Sequence, residues 1–468
     1  MKKSLFKFAV AISATTIGLT CVTGCSKKAN DKNTLNIVCL NLGYGRQWID
    51  DLVKVWEEDN PGYKVNLTAD ANANAIIQKH LYSKDNIDDL YIGNSKSWKT
   101  YAVKGKLLAL DDLLEEKVDG VKVVDKINEE YKKSIYYEGH TYRLPWTSGV
   151  PGIYYNAKMF EENNWTIPTT YDELVALCST IKQSEVDVVV NGKPVDTVKP
   201  FVFTGENMDY FDYAVFTWWG QLAGKAAVDD YLKYESAATF SDANPAFVKL
   251  GEALQMWWNI FGDKTNYVKG SDGWSNHLAQ QSFYNGYSAM MINCDWLYNE
   301  TLKYTDNNQF REGFELKIMD TPAASNAAEP HVSYIVGEDQ YYAIPKSTIK
   351  ADLAKSFIKL MISDRGIKTF AEKAHGTLAY KSSTTVTTTD SYTNSLINYL
   401  NHTTGTFTNW SNSKLFLNNV IDVWTVNDLA PYTRMIDGTD PQPVQAYMKQ
   451  ISDNAKEKWN TWVQQAGQ

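Results

Sequence analysis

The chain carries 15 Trp and 29 Tyr in 468 residues, more than a core of this size requires. Trp56 and Trp257 fall on apolar helix faces, and Trp459 and Trp462 suit the packing of a C-terminal helix. Trp146, Trp218, Trp219, Trp274 and Trp296 fall instead at crossings, loops or element ends. An indole there offers a flat apolar face to something other than the core. Polar groups stand near such positions. Asp295 directly precedes Trp296; Asn41, Tyr44 and Arg46 share one loop, Asn94 and Ser95 another, and Tyr342 lies in a late strand. Carboxylates, amides and a planar guanidinium bind hydroxyl groups, while rings cover C–H faces. For each polar residue a solvated charge or a turn role is the competing reading.

Other chemistries find less support. The chain has no G-x-S-x-G, H-E-x-x-H, C-x-x-C or phosphate-loop pattern. With 55 Asp plus Glu, a catalytic carboxylate pair stays possible, so an exported glycoside hydrolase is one alternative and a surface adhesin another. Tyr154-Tyr155 and Tyr341-Tyr342 raise the question of a tyrosinate iron site. Neighbouring strand residues point to opposite faces, so only one of each pair can face a cleft, which argues against iron. No metal, cofactor or catalytic residue is expected.

These candidates need a frame. Residues 136–173 read as a hairpin, an aperiodic run from Pro145 to Gly152, the strand Ile153-Tyr154-Tyr155, and a capping box Thr170-Tyr171-Asp172-Glu173 before a helix. The run Pro145–Gly152 carries two Pro and two Gly, the signature of an extended crossing between two folded units. Before it, apolar strands near 35–40, 63–67 and 89–92 alternate with helices, the pattern of a parallel, doubly wound sheet. Ligands of such sheets sit beyond the carboxyl ends of the strands, which places 41–46 and 94–98 at a rim. Asn191-Gly192 predicts a surface hairpin, and residues 211–222 an unusually aromatic helix.

Lys2, Lys3 and Lys7 precede an apolar stretch from Phe8 to Thr20, and Val22-Thr23-Gly24-Cys25 has the order of a lipoprotein cleavage site. Residues 1–24 are therefore expected to be a signal peptide, Cys25 the lipidated residue, and 25–33 a polar tether. Removing 1–24 would move the formal charge from −9 to −12, a sign that argues against nucleic acid. Cys39, Cys178 and Cys294 sit in apolar runs without disulfide or zinc spacing and read as buried thiols.

Three stretches resemble the extracellular solute-binding proteins of ABC importers, in the branch that carries sugars and oligosaccharides. They are 144–173, 283–296 with its closing Asp-Trp, and 351–380 with a helix pair and Gly376. Members carry a small residue, often Gly, where Cys294 stands. The resemblance implies a class II α/β fold of two lobes, each a doubly wound sheet flanked by helices. Three hinge crossings are expected near 147–150, 291–294 and 337–342. Lobe 1 is expected to hold 34–147 plus 295–338, and lobe 2 to hold 148–294 plus 339–468. The implied role is a monomeric, lipid-anchored receptor, extracytoplasmic and held to the membrane by its lipid alone. It closes on a sugar or oligosaccharide and delivers it to ABC permease subunits without chemistry.

Overall fold

The computed structural model describes residues 31–467 except 96, 191, 208, 306, 308, 338–339, 426–434 and 436–441. The signal peptide and Cys25 expectations lie outside the described residues. Two mixed sheets organise the rest into two lobes. The first has five strands in the order Lys64–Asp70, Thr34–Leu40, Leu90–Asn94, Gln340–Ala343, Leu144–Pro145. Its three N-terminal strands run parallel, as the strand–helix alternation predicts. Thr34–Leu40 is almost wholly buried because strands flank it and helices cover it, whereas Lys64–Asp70 alternates exposed and partly buried residues at the sheet edge. Pro145, which has no N–H to donate, sits in the opposite edge strand.

The second sheet has four strands in the order Lys199–Val202, Ser288–Asn293, Gly152–Asn156, Leu316–Met319. Helix Tyr171–Ser184 carries the full capping box, with Thr170 and Glu173 satisfying each other's backbone donors. Helix Pro245–Phe261 begins on proline and packs against helix Asp209–Ala223. Strands Asp187–Val190 and Lys193–Thr197 form the expected surface hairpin.

Two expectations are corrected by strand pairing. Leu316–Met319 pairs with Gly152–Asn156, so it belongs to the second sheet and not to lobe 1. Gln340–Ala343 pairs with Leu90–Asn94 and Leu144–Pro145, so it belongs to the first and not to lobe 2. The chain leaves Ser288–Asn293 and returns to the same sheet through helix Leu297–Leu302. Residues 291–294 therefore end a strand rather than cross between lobes. The crossings run through 146–151 and 335–337, and a further one passes through 376–390.

These crossings lie side by side. The Ser148 N–H donates to Thr377 O at 2.9 Å, Ala379 N–H to Trp146 O at 3.1 Å, and Val336 N–H to Gly149 O at 2.9 Å. The Tyr131 hydroxyl donates to the carbonyls of Ser148 and Val336. Gly337 has φ +108, and a Cβ there would sit 2.5 Å from Thr147 O, so only glycine fits between the crossings.

Candidate functional site

The cavity between the lobes has a volume of about 380 Å³. Lobe 1 lines it with Leu40, Leu42, Gly43, Tyr44 and Asn94, all at the carboxyl ends of parallel strands. The crossings contribute Trp146, Val336, Gly337 and Gln340. Lobe 2 supplies Tyr210, Asp212, Tyr213 and Phe216 from helix Asp209–Ala223, then Trp296, Glu300 and Tyr334. The same lobe adds Asn409, Phe416, Asp422, Val423 and Trp424. Aromatic rings thus face the cavity from both lobes, with carboxylates and amides between them.

Trp296 keeps partial exposure. Tyr44, Tyr210 and Tyr213 meet it edge-on at 6.4, 6.5 and 6.4 Å, and its Nε1 donates to the Tyr210 hydroxyl at 3.2 Å. Gly43 makes this fit possible: a Cβ there would lie 2.4 Å from Trp296 Cβ. Trp146 is buried among Tyr44, Trp48 and Phe370, and its Nε1 has no partner among the described residues. An unpaired buried donor at a cavity wall is what a ligand hydroxyl would satisfy. Trp424 stacks on Phe216 at 5.7 Å and 19°, and its Nε1 donates to Asp212 Oδ1 at 2.9 Å. Burial raises the pKa of Glu300, whose carboxylate accepts from Gln280 Nε2 at 2.6 Å. The Asn94 side chain is held by Asn74 Nδ2 at 2.7 Å.

Of the residues expected from sequence, Tyr44, Asn94, Trp146 and Trp296 meet in this cavity. The others do not line it. The Asn41 N–H donates to Asp70 O and prolongs the sheet ladder. Arg46 is exposed and pairs with Asp50 at 2.8 Å, one helical turn on. Ser95 only closes a local turn, accepting from the Ser97 N–H. Trp218 and Trp219 are core residues, with indole N–H groups donating to Pro322 O and Ala246 O at 3.0 and 2.8 Å. Trp274 packs partly on a second apolar cluster. Tyr342 is fully buried within the first sheet.

Asp295 lies beneath the cavity rather than in its wall. It is fully buried, and Tyr44 donates to its Oδ1 at 2.8 Å. The same hydroxyl lies 3.3 Å from Thr147 Oγ1, which donates to Gln340 Oε1 at 2.7 Å. Burial pushes the Asp295 carboxyl up to about 6, and the Tyr44 and Cys294 hydrogen bonds offset only part of that. Asp295 therefore ties the end of Ser288–Asn293 to lobe 1 and the first crossing.

The sequence reading missed Tyr210, Tyr213 and Phe216. Their signal was a spacing of three along one helix, which turns them to a common side while Trp218 packs against Tyr171 on another. Asn409, Asp422 and Trp424 come from irregular backbone, where no periodicity marks them. Burial holds the Tyr154 and Tyr342 hydroxyls well above their usual range and Tyr155 up to about 12. No cluster of three metal-ligating His, Cys, Asp or Glu occurs among the described residues. Cys39, Cys178 and Cys294 are buried free thiols, as expected.

A family profile described as bacterial extracellular solute-binding protein matches residues 43–368. The multiple sugar-binding protein of Streptococcus mutans is 23% identical over 295 residues, covering 60% of this chain and 63% of that protein. The diacetylchitobiose binding protein NgcE of Streptomyces coelicolor is 21% identical over 344 residues, covering 73% and 68%. The chain thus spans about two thirds of the length of these relatives. A solved chitin oligosaccharide binding protein superimposes with a TM-score of 0.64 at 16% identity, covering 91% of this chain and all of that one, a likeness of fold. Among the described residues no helix is long and apolar enough to cross a membrane.

Proposed function

This chain belongs to the bacterial extracellular solute-binding protein family, and from that premise we propose that it captures a short oligosaccharide between its lobes. The observation that carries this is the cavity itself. Rings from both lobes line it, with carboxylates and amides between them. Rings cover the C–H faces of a pyranose, and the polar groups take its hydroxyls. Two relatives named for sugar binding support the same class of ligand. Size narrows it. If each carbon–oxygen unit of a sugar takes about the volume of a water, ~30 Å³, two pyranose rings need roughly 350 Å³. The cavity offers about 380 Å³, room for at least two pyranose rings of a short oligosaccharide.

A sugar touching both walls gains its full contacts only when the lobes are together, so it shifts the population toward closure. The closed shape then marks loaded receptor for an ABC permease, with no bond of the ligand broken. A lipid on Cys25 keeps the receptor on the outer face of the cell membrane. Thermal shift with maltose, cellobiose, diacetylchitobiose and their longer homologues tests the reading, with product analysis of the same mixtures. A rise in melting temperature with intact sugar is expected. Hydrolysed products would make the chain an enzyme, and no shift with any glycan would remove the sugar. Cys25→Ser should release the protein from membranes, and a variant still held there through lipid would refute the anchor.

A further inference from the structure

The lobes also meet beside the cavity, through five side chains of which only Phe416 lines it. Trp98 and Lys99 open the helix after strand Leu90–Asn94, and Arg143 precedes strand Leu144–Pro145, so all three belong to the first lobe. Trp410 and Phe416 follow strand Gly405–Phe407, which pairs with Val332–Tyr334 beside helix Asp209–Ala223 in the second lobe. Trp98 and Trp410 stack with centroids 6.2 Å apart and planes 20° from parallel. Lys99 Nζ lies 4.2 Å from the Trp410 centroid and 5.0 Å from that of Phe416. The Arg143 guanidinium lies 5.0 Å from the Trp98 centroid and 5.7 Å from that of Trp410. All five side chains are buried. Lys133 and Asp229 pair across the same flank at 3.6 Å.

We infer that these five residues form an aromatic–cation clasp that raises the fraction of ligand-free receptor whose lobes are together, leaving the ligand to complete closure. Trp98, Lys99, Arg143 and Trp410 thereby set affinity without lining the cavity. Cations drawn from one lobe lie over a ring of the other, so opening the cleft separates them and returns the Trp410 face to water. Attraction of a desolvated cation to an indole face is lost in that step. The clasp shares a wall with the cavity: Phe416 lines it, and Arg143 Nη1 donates to the carbonyl of Gln340, another lining residue, at 2.9 Å. Observed affinity is the intrinsic affinity scaled by the fraction of receptor already closed. The clasp raises that fraction.

The test compares wild type with Lys99→Met, which keeps an apolar stem and removes the charge, and with Trp410→Ala. Small-angle scattering of the ligand-free proteins should show a larger radius of gyration for both variants. Saturating disaccharide from the panel above should return each to the liganded wild-type value. The Kd for that disaccharide should rise about three- to tenfold, the scale of one or two cation–π contacts. Should Trp410→Ala fail to fold, Lys99→Met decides. Ligand-free profiles of folded variants that superimpose on wild type would overturn the clasp. The affinity arm rests on the oligosaccharide reading, but the ligand-free scattering does not. Failure of every sugar to bind would remove that reading and leave the clasp to be judged by shape alone.

Discussion

Replacing Asp295 with asparagine should make this protein's stability less dependent on pH, by an amount the geometry sets. The carboxyl is fully buried, and burial raises it from 3.8 to about 6. At ~1.36 kcal/mol per pH unit, ionising it inside the fold costs about 3 kcal/mol more than ionising it in the unfolded chain. Between those two values the folded protein holds a proton that the unfolded chain has released. The stabilisation is therefore fully present below 3.8, declines as the pH rises, and is gone once the pH passes about 6. Asparagine keeps an oxygen for the Tyr44 hydroxyl, now 2.8 Å from Oδ1, and carries no charge. Urea unfolding of both proteins from pH 4 to pH 8 gives a difference in which the other carboxylates cancel. That difference should move by about 2.4 kcal/mol in favour of the variant from pH 4 to pH 8. A difference that stays flat, or moves the other way, would refute the burial argument.

Trp296→Ala should weaken disaccharide binding by about 1–3 kcal/mol, the stacking scale of an aromatic under a ring, measured by titration calorimetry. Trp146→Ala should lower binding and also unfold more easily, by about 3–5 kcal/mol for a buried indole, so an unchanged melting temperature would place it outside the core. Gly337→Ala should cost about 1–3 kcal/mol of stability, since its Cβ meets Thr147 O at 2.5 Å; a neutral result in thermal denaturation would mean the crossings yield. Arg46→Ala should leave affinity unchanged and cost at most about 0.5 kcal/mol, the worth of an exposed i,i+4 pair, and a large loss of affinity would return it to the site.

Local rules determined much of this protein from sequence alone. The capping box at Thr170, the parallel start of the first sheet, the hairpin at 187–197 and the crossing after Pro145 each depend on residues close in the chain. Tyr44 and Asn94 were legible for the same reason, since each follows or ends a strand at a predicted rim, while Trp146 was marked by the predicted crossing and Trp296 by the closing Asp-Trp of the family resemblance. Strand membership was not. Leu316–Met319 and Gln340–Ala343 are both short apolar runs, and only long-range pairing decides which sheet takes each. The same holds for the aromatics. Tyr213 and Trp218 lie on one helix, yet one faces the cavity and the other donates to Pro322 O in the core. Composition marks a ring as able to bind, but whether it meets ligand or core depends on which elements pack around it. Those neighbours lie tens to hundreds of residues away: Asp295 depends on Tyr44, and Trp98 on Trp410.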